Sequence, residues 1–168
     1  SVRALMQGLL EHLTKLDRQA KEIEAQIAAW HGQNELSRKL AEIPGIGLLG
    51  ASALAATVGN AKSFSSGRQL AAWLGLVPRQ SSSGGKNVLL GMSKRGDAYL
   101  RTLLIHGARA VIYRARQNPQ GSGWLHKLIG RRNANVAAVA LANKNARIAW
   151  ALLARDRQYR ADYAAASV

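Results

Sequence analysis

The feature that most constrains this chain is a heptad. Val2, Leu9, Leu16, Ile23 and Trp30 recur every seven residues, and Met6, Leu13, Ala20 and Ile27 fill the alternate seam positions. Apolar spacing that alternates four and three over about four heptads is the a/d pattern of a coiled coil. Glu11, Lys15, Asp17, Arg18, Lys21, Glu22 and Glu24 lie between the seam residues and form a wetted face. A repeat this regular and narrow predicts a two-chain or intramolecular coiled coil rather than a long amphipathic helix packed on its own domain. His31-Gly32-Gln33-Asn34 then breaks the helix. Residues 1–33 are therefore read as a coiled-coil helix and 34–168 as a second domain. The chain opens in mid-helix and lacks an initiator Met, which reads as a fragment of a longer protein.

Charge separates the same two parts. Residues 1–60 hold six basic and six acidic side chains, whereas residues 61–168 hold eighteen basic and three acidic ones. The net charge of +15 thus lies wholly in the second part. Such asymmetry points to a polyanionic partner, and nucleic acid is the usual one. A membrane surface fits less well, because no helix sets a lysine-rich face against bulky aromatics. No apolar run approaches the length of a transmembrane helix, and the N-terminus has no signal-peptide layout. The chain has no cysteine, which removes disulfides and thiolate metal sites and fits a cytoplasmic setting. Four scattered histidines form no ligand pattern, so no metal site is expected.

Downstream of the heptad the pattern is helical. Helices are expected over 35–42 and 47–58, flanking Ile43-Pro44-Gly45-Ile46-Gly47 with Ala51 four residues on. That arrangement resembles a helix-hairpin-helix, in which Gly45 and Gly47 allow a tight turn and bring backbone N–H groups to a phosphate at a helix start. A plain helical hairpin is the alternative. Ser65-Ser66 can cap a helix through Leu74, and Asp97 can cap a long one to about Gln117. A short helix follows Trp124, and a last long helix spans roughly 134–155. Residues 78–96 show no sustained period and are expected to be a loop, with Val88-Leu89-Leu90 as a brief strand or a buried anchor. The fold class is all-α: a long coiled-coil helix leading into a compact helical bundle.

Within that loop lies RQSSSGGK, residues 79–86. A Walker A loop would need Gly where Gln80 stands and Ser or Thr where Asn87 stands. A hydrolase elbow would need Gly two residues before Ser83, where Ser81 stands. Asp97, Asp156 and Asp162 are the only acids after residue 60, so no two-metal site is visible. What surrounds the serines is positive charge: Arg79, Lys86, Lys94, Arg95 and Arg101. A serine among such cations suits attack on a phosphodiester, because they offset the alkoxide and the extra charge of the transition state. Gly84 and Gly85 would let backbone approach the DNA. Composition leaves a linker and a nucleophile both open. Arg101 is equally open between a phosphate contact and a structural role, and Asp97 is read as a cap.

The ordered series from Leu40 to Arg116 resembles the C-terminal domain of DEDD-type insertion-sequence transposases. The residues that carry the resemblance begin with Ile43-Pro44-Gly45-Ile46-Gly47, Leu70 to Arg79, and Ser82-Ser83-Gly84-Gly85-Lys86. Ser93 to Asp97, Tyr99-Leu100-Arg101 and His106 to Arg109 complete the series. The resemblance implies an RNA-guided DNA recombinase in which a coiled coil joins a RuvC-like domain to a helical domain with a catalytic serine. It places that serine at Ser83, with Ser82 as the competitor and Ser81 behind it. It also implies a covalent phosphoserine–DNA link, a guide RNA, a dimer or tetramer, and action at the nucleoid. Mg²⁺ and four acids would belong to the RuvC-like domain, so this chain is expected not to cut DNA alone. The alternative function is a non-catalytic nucleic-acid-binding and oligomerisation module.

Overall fold

The computed structural model describes residues 1–83 and 85–161, and the side chains of these apart from positions 82, 83, 86 and 87. Seven helices and one hairpin follow in the order α1 Val2–Gln33, α2 Glu35–Ala41, α3 Leu48–Val58, α4 Gly67–Trp73, β1 Pro78–Ser83, β2 Lys86–Met92, α5 Ala98–Arg116, α6 Trp124–Arg131 and α7 Ala134–Arg155. A single 3₁₀ turn, Ala61–Ser63, links α3 to α4. The architecture is mainly α, as the periodicity predicts.

Side-chain caps set the helix starts. Asn34, Ser66, Asp97 and Asn133 each accept a hydrogen bond from the backbone N–H three residues on, satisfying one of the orphan donors of a first turn. Asp97 is therefore a helix cap, bonded to the Leu100 N–H at 2.9 Å.

Helix α1 is about 48 Å long at 1.5 Å per residue and buries none of its residues in this chain. Its seam is open to solvent: Val2 is 76% exposed, Leu9 65% and Ile23 56%. The helix meets the bundle only near its C-terminus, where Ile27 and Trp30 approach Leu49 and Ala53 of α3. There a polar chain anchors it. His31 Nδ1 lies 2.7 Å from the buried Ser37 Oγ, which lies 3.3 Å from Ser52 Oγ.

The bundle core is built from Leu40, Ile43, Leu54, Leu70, Leu74, Leu100 and Leu104, with α7 packed across α4 and α5. Helix α7 presents buried Ala137, Ala138, Ala142, Ala146 and Ala149, whose small side chains let its neighbours come close. The tightest approach joins α5 to the turn after α2. Gly107 faces the Gly45 carbonyl so closely that a Cβ there would overlap it, and Asn145 Nδ2 donates to the Pro44 carbonyl at 2.8 Å. Trp150 Nε1 donates to both Ala61 and Phe64 carbonyls at 3.1 Å, tying the 3₁₀ turn to α7.

The segment expected to be a loop departs from that reading. Residues 78–92 form an antiparallel hairpin in which Ser81 pairs with Val88, Ser82 with Asn87 and Ser83 with Lys86, with an irregularity between Pro78 and Gln80. In sequence the strands are joined by Gly84-Gly85, a composition that two-residue hairpin turns favour. Gly84 lies outside the described residues, and Gly85 has φ +81°. Val88-Leu89-Leu90 is a strand and not a buried anchor, because all three are exposed, Leu89 by 69%.

Candidate functional site

The hairpin is rooted where α4 ends. Gly75 has φ +72° and a Cβ on it would meet the Arg95 carbonyl at 2.5 Å. Gly96 has φ +128° and a Cβ there would overlap the Trp73 carbonyl. Only glycine fits both the dihedrals and the space, so Ser93-Lys94-Arg95-Gly96 is pressed onto the end of α4. The Ser93 N–H donates to the Val77 carbonyl at 2.8 Å, and the Lys94 N–H to Gly75 at 3.2 Å. Lys94 itself sits in the left-handed region at φ 55°. On the other side, Asn143 Nδ2 of α7 donates to the Leu76 carbonyl at 3.2 Å.

This root positions the cations singled out from the sequence, and it divides them. Arg79, Lys94 and Arg95 are exposed around the base of the hairpin. Arg101 is half-buried, and its Nη1 donates to the Leu74 carbonyl at 3.2 Å. That bond ties α5 to the C-terminal end of α4, where exposed carbonyls favour a cation. Arg101 thus has a structural partner in the root, the second of the two roles its position allowed. Ser83 and Lys86 stand at the other end, as cross-strand partners beside the turn. Arg79 and Ser83 are four positions apart, about 13 Å of strand. The base cations and the tip are therefore separate places on the hairpin. The side chains of Ser82, Ser83 and Lys86 fall outside the described set.

The Pro-Gly turn also splits. A Cβ on Gly45, at φ +94°, would come within 3.1 Å of the Gly107 carbonyl and 3.2 Å of Asn145 Nδ2, so its glycine is explained by close approach to α5 and α7. Gly47 is exposed and precedes α3 without a side-chain cap, so no capping side chain takes the first-turn N–H groups there. The structure brings neither glycine to the hairpin tip.

A model of the transposase IS116/IS110/IS902 family matches residues 37–122, about half of the chain, from α2 through the hairpin to the loop after α5. The chain belongs to this transposase family. A probable family 20 transposase of Pseudomonas aeruginosa is 53% identical over 157 residues, covering 93% of this chain and 46% of the relative. The transposase for insertion sequence element IS1111A of Coxiella burnetii is 47% identical over 160 residues, covering 95% of this chain and 44% of the relative. The transposase for insertion sequence element IS1328 of Yersinia enterocolitica is 44% identical over 147 residues, covering 87% and 44%. The chain therefore spans about half the length of these transposases.

Two features of this transposase domain escaped the sequence reading. The hairpin was announced by Gly84-Gly85 between two runs of similar length, a two-residue turn signal. A basic stripe on α7, Lys144, Arg147 and Arg155, follows i, i+3 and i+11 spacing and so lies on one face. Among the described residues no helix is long and apolar enough to cross a membrane.

Proposed function

We propose that this chain supplies the serine nucleophile of a transposase from the tip of its hairpin. The observation that carries the reading is the register: Ser83 is the last residue of β1 and its cross-strand partner is Lys86. The Ser83 hydroxyl attacks a phosphodiester phosphorus. A serine O–P bond forms, the P–O bond to the leaving sugar oxygen breaks, the serine proton passes to water and the released oxygen takes one up. The phosphoserine keeps the bond energy until a second DNA hydroxyl attacks it and frees the serine. Lys86 stabilises charge at the tip, and Arg79, Lys94 and Arg95 hold flanking phosphates. Gly84 and Gly85 permit close approach of backbone, and Gly47 offers N–H groups to a further phosphate. A Ser83→Ala variant tests the nucleophile directly.

Mg²⁺ belongs, in this reading, to a RuvC-like domain outside the chain. Among the described residues no three His, Asp or Glu side chains gather as a metal site, so the residues present do not fit the ion and no step here runs through it. A guide RNA chooses the target, which leaves this domain to bind backbone. Binding then follows counterion release. An oligonucleotide titration from 50 to 200 mM salt is expected to give log affinity falling linearly with log salt, by about 10³-fold if some six phosphates are neutralised. Affinity that barely changes across that range would remove the basic surface from the reading.

A second copy of the chain covers the seam of α1, making a dimer or tetramer. The exposure of the seam from Val2 to Ile23 supports this, since its apolar residues are open to solvent within the described chain. Leu9→Glu with Leu16→Glu is expected to shift the sedimentation coefficient to that of a monomer. Bundle helicity should be kept, because neither residue enters the core. The same exposure favours the second reading, a non-catalytic binding and assembly module, which differs in forming no DNA adduct.

A further inference from the structure

A groove of about 1490 Å³ runs between α4, α6, α7, the root of the hairpin and the segment 157–160 that follows α7. Small-molecule sites are typically about 300–1,000 Å³, so it is shaped for a longer occupant. Its floor is apolar, with Trp124, Val136, Val139, Ile148 and Trp150. Its rims are basic, with Arg68 from the first turn of α4 and Arg147 and Arg155 from α7, all exposed. None of the lining residues is acidic. The aromatic faces already take cations: Lys144 Nζ lies 4.4 Å from the Trp124 ring and the Arg155 guanidinium 5.2 Å from the Trp150 ring. Burial and the neighbouring Arg147 push the Lys144 pKa down, as expected of a cation in a positive, partly apolar cleft.

We propose that this groove binds single-stranded DNA, with unstacked bases displacing Lys144 and Arg155 from the Trp124 and Trp150 faces and phosphates on Arg68, Arg147 and the released Arg155. Duplex DNA turns only phosphates and base edges outward and would leave the apolar floor wet, whereas a single strand offers base faces to aromatic rings. Continuity selects DNA over RNA. Pro78, Leu90 and Met92 of the hairpin form one wall of the groove, and β1 then runs five residues, about 17 Å, to Ser83. A strand in the groove is thus the one unpaired beside the exchange point, a few nucleotides from it. The inference rests on the hairpin acting on DNA, but its readout does not need Ser83.

The test titrates the chain with a twelve-nucleotide DNA strand, its duplex and the RNA of the same sequence at fixed salt, following tryptophan fluorescence. The DNA strand is expected to bind at least ten-fold tighter than the duplex and to quench the fluorescence. Arg68→Glu with Arg147→Glu should weaken strand binding about ten-fold and leave duplex binding, held by Arg79, Lys94 and Arg95, nearly unchanged. Trp124→Phe should reduce the quench, with helicity verified by circular dichroism for each variant. Equal strand and duplex affinity, equal loss of both in the double variant, or tighter binding of RNA would overturn the proposal. So would an acidic peptide that quenches the fluorescence where the DNA strand does not. Ser83→Ala is expected to leave strand binding intact, so failure of the nucleophile and failure of the groove give different results.

Discussion

Ser83→Ala in the intact transposase is expected to abolish the denaturation-resistant DNA–protein adduct and to lower strand exchange by about 10³-fold or more, the scale seen when a covalent nucleophile is removed. Ser82→Ala should keep both. The contrast follows from the register, in which Ser83 pairs with Lys86 and Ser82 with Asn87. Only Ser83 is thus paired across the hairpin with a cation. Circular dichroism of each variant checks that the helical bundle is kept. Adduct formation is read on a denaturing gel and exchange in a two-substrate assay. Exchange at the parental rate in Ser83→Ala, or an adduct lost only with Ser82→Ala, would sink the assignment. An unchanged adduct in Lys86→Ala would separately remove that lysine from the charge-stabilising role.

What the sequence reveals about the fold is what local chemistry decides. The starts of α4 and α5 are legible because Ser66 and Asp97 announce their caps, and the heptad announces α1, whereas the caps Asn34 and Asn133 show themselves only in the structure. The hairpin is hidden because β1 lacks the β-branched alternation that marks a strand: it reads Pro-Arg-Gln-Ser-Ser-Ser. The glycines, not the strands, hold its signal. The roles of individual cations are less legible still. Arg101 and Arg95 look alike in sequence, yet one is bonded to the Leu74 carbonyl and the other is exposed on the turn below the hairpin. That difference depends on a 27-residue separation that no local pattern encodes. Gly45 is similar. Its motif points to a phosphate, but its partner is Gly107, brought over by α5.

The Gly45–Gly107 crossing carries the other large effect. A Cβ at Gly107 would overlap the Gly45 carbonyl oxygen, with the Gly45 backbone on the same side. Both atoms belong to backbone, and the turn cannot swing away because Asn145 holds the Pro44 carbonyl at 2.8 Å. Nor can α5 retreat easily, since Leu104 and Ala108, on either side of Gly107, are buried in the core. Gly107→Ala is therefore expected to cost about 4 kcal/mol or more, at the exceptional end for one methyl group. Against a total of about 5–15 kcal/mol this is a large share, and for a domain of this size the melting temperature should fall by roughly 10 °C. Gly8→Ala is the matching control. It lies in the exposed heptad helix, a Cβ there meets nothing within 4 Å, and alanine in a helix interior should stabilise by about 0.5–1 kcal/mol. Thermal unfolding followed at 222 nm separates the two. A Gly107→Ala protein that melts with the parent would mean that the turn is free to move, and the explanation of Gly45 as a packing glycine would fall with it.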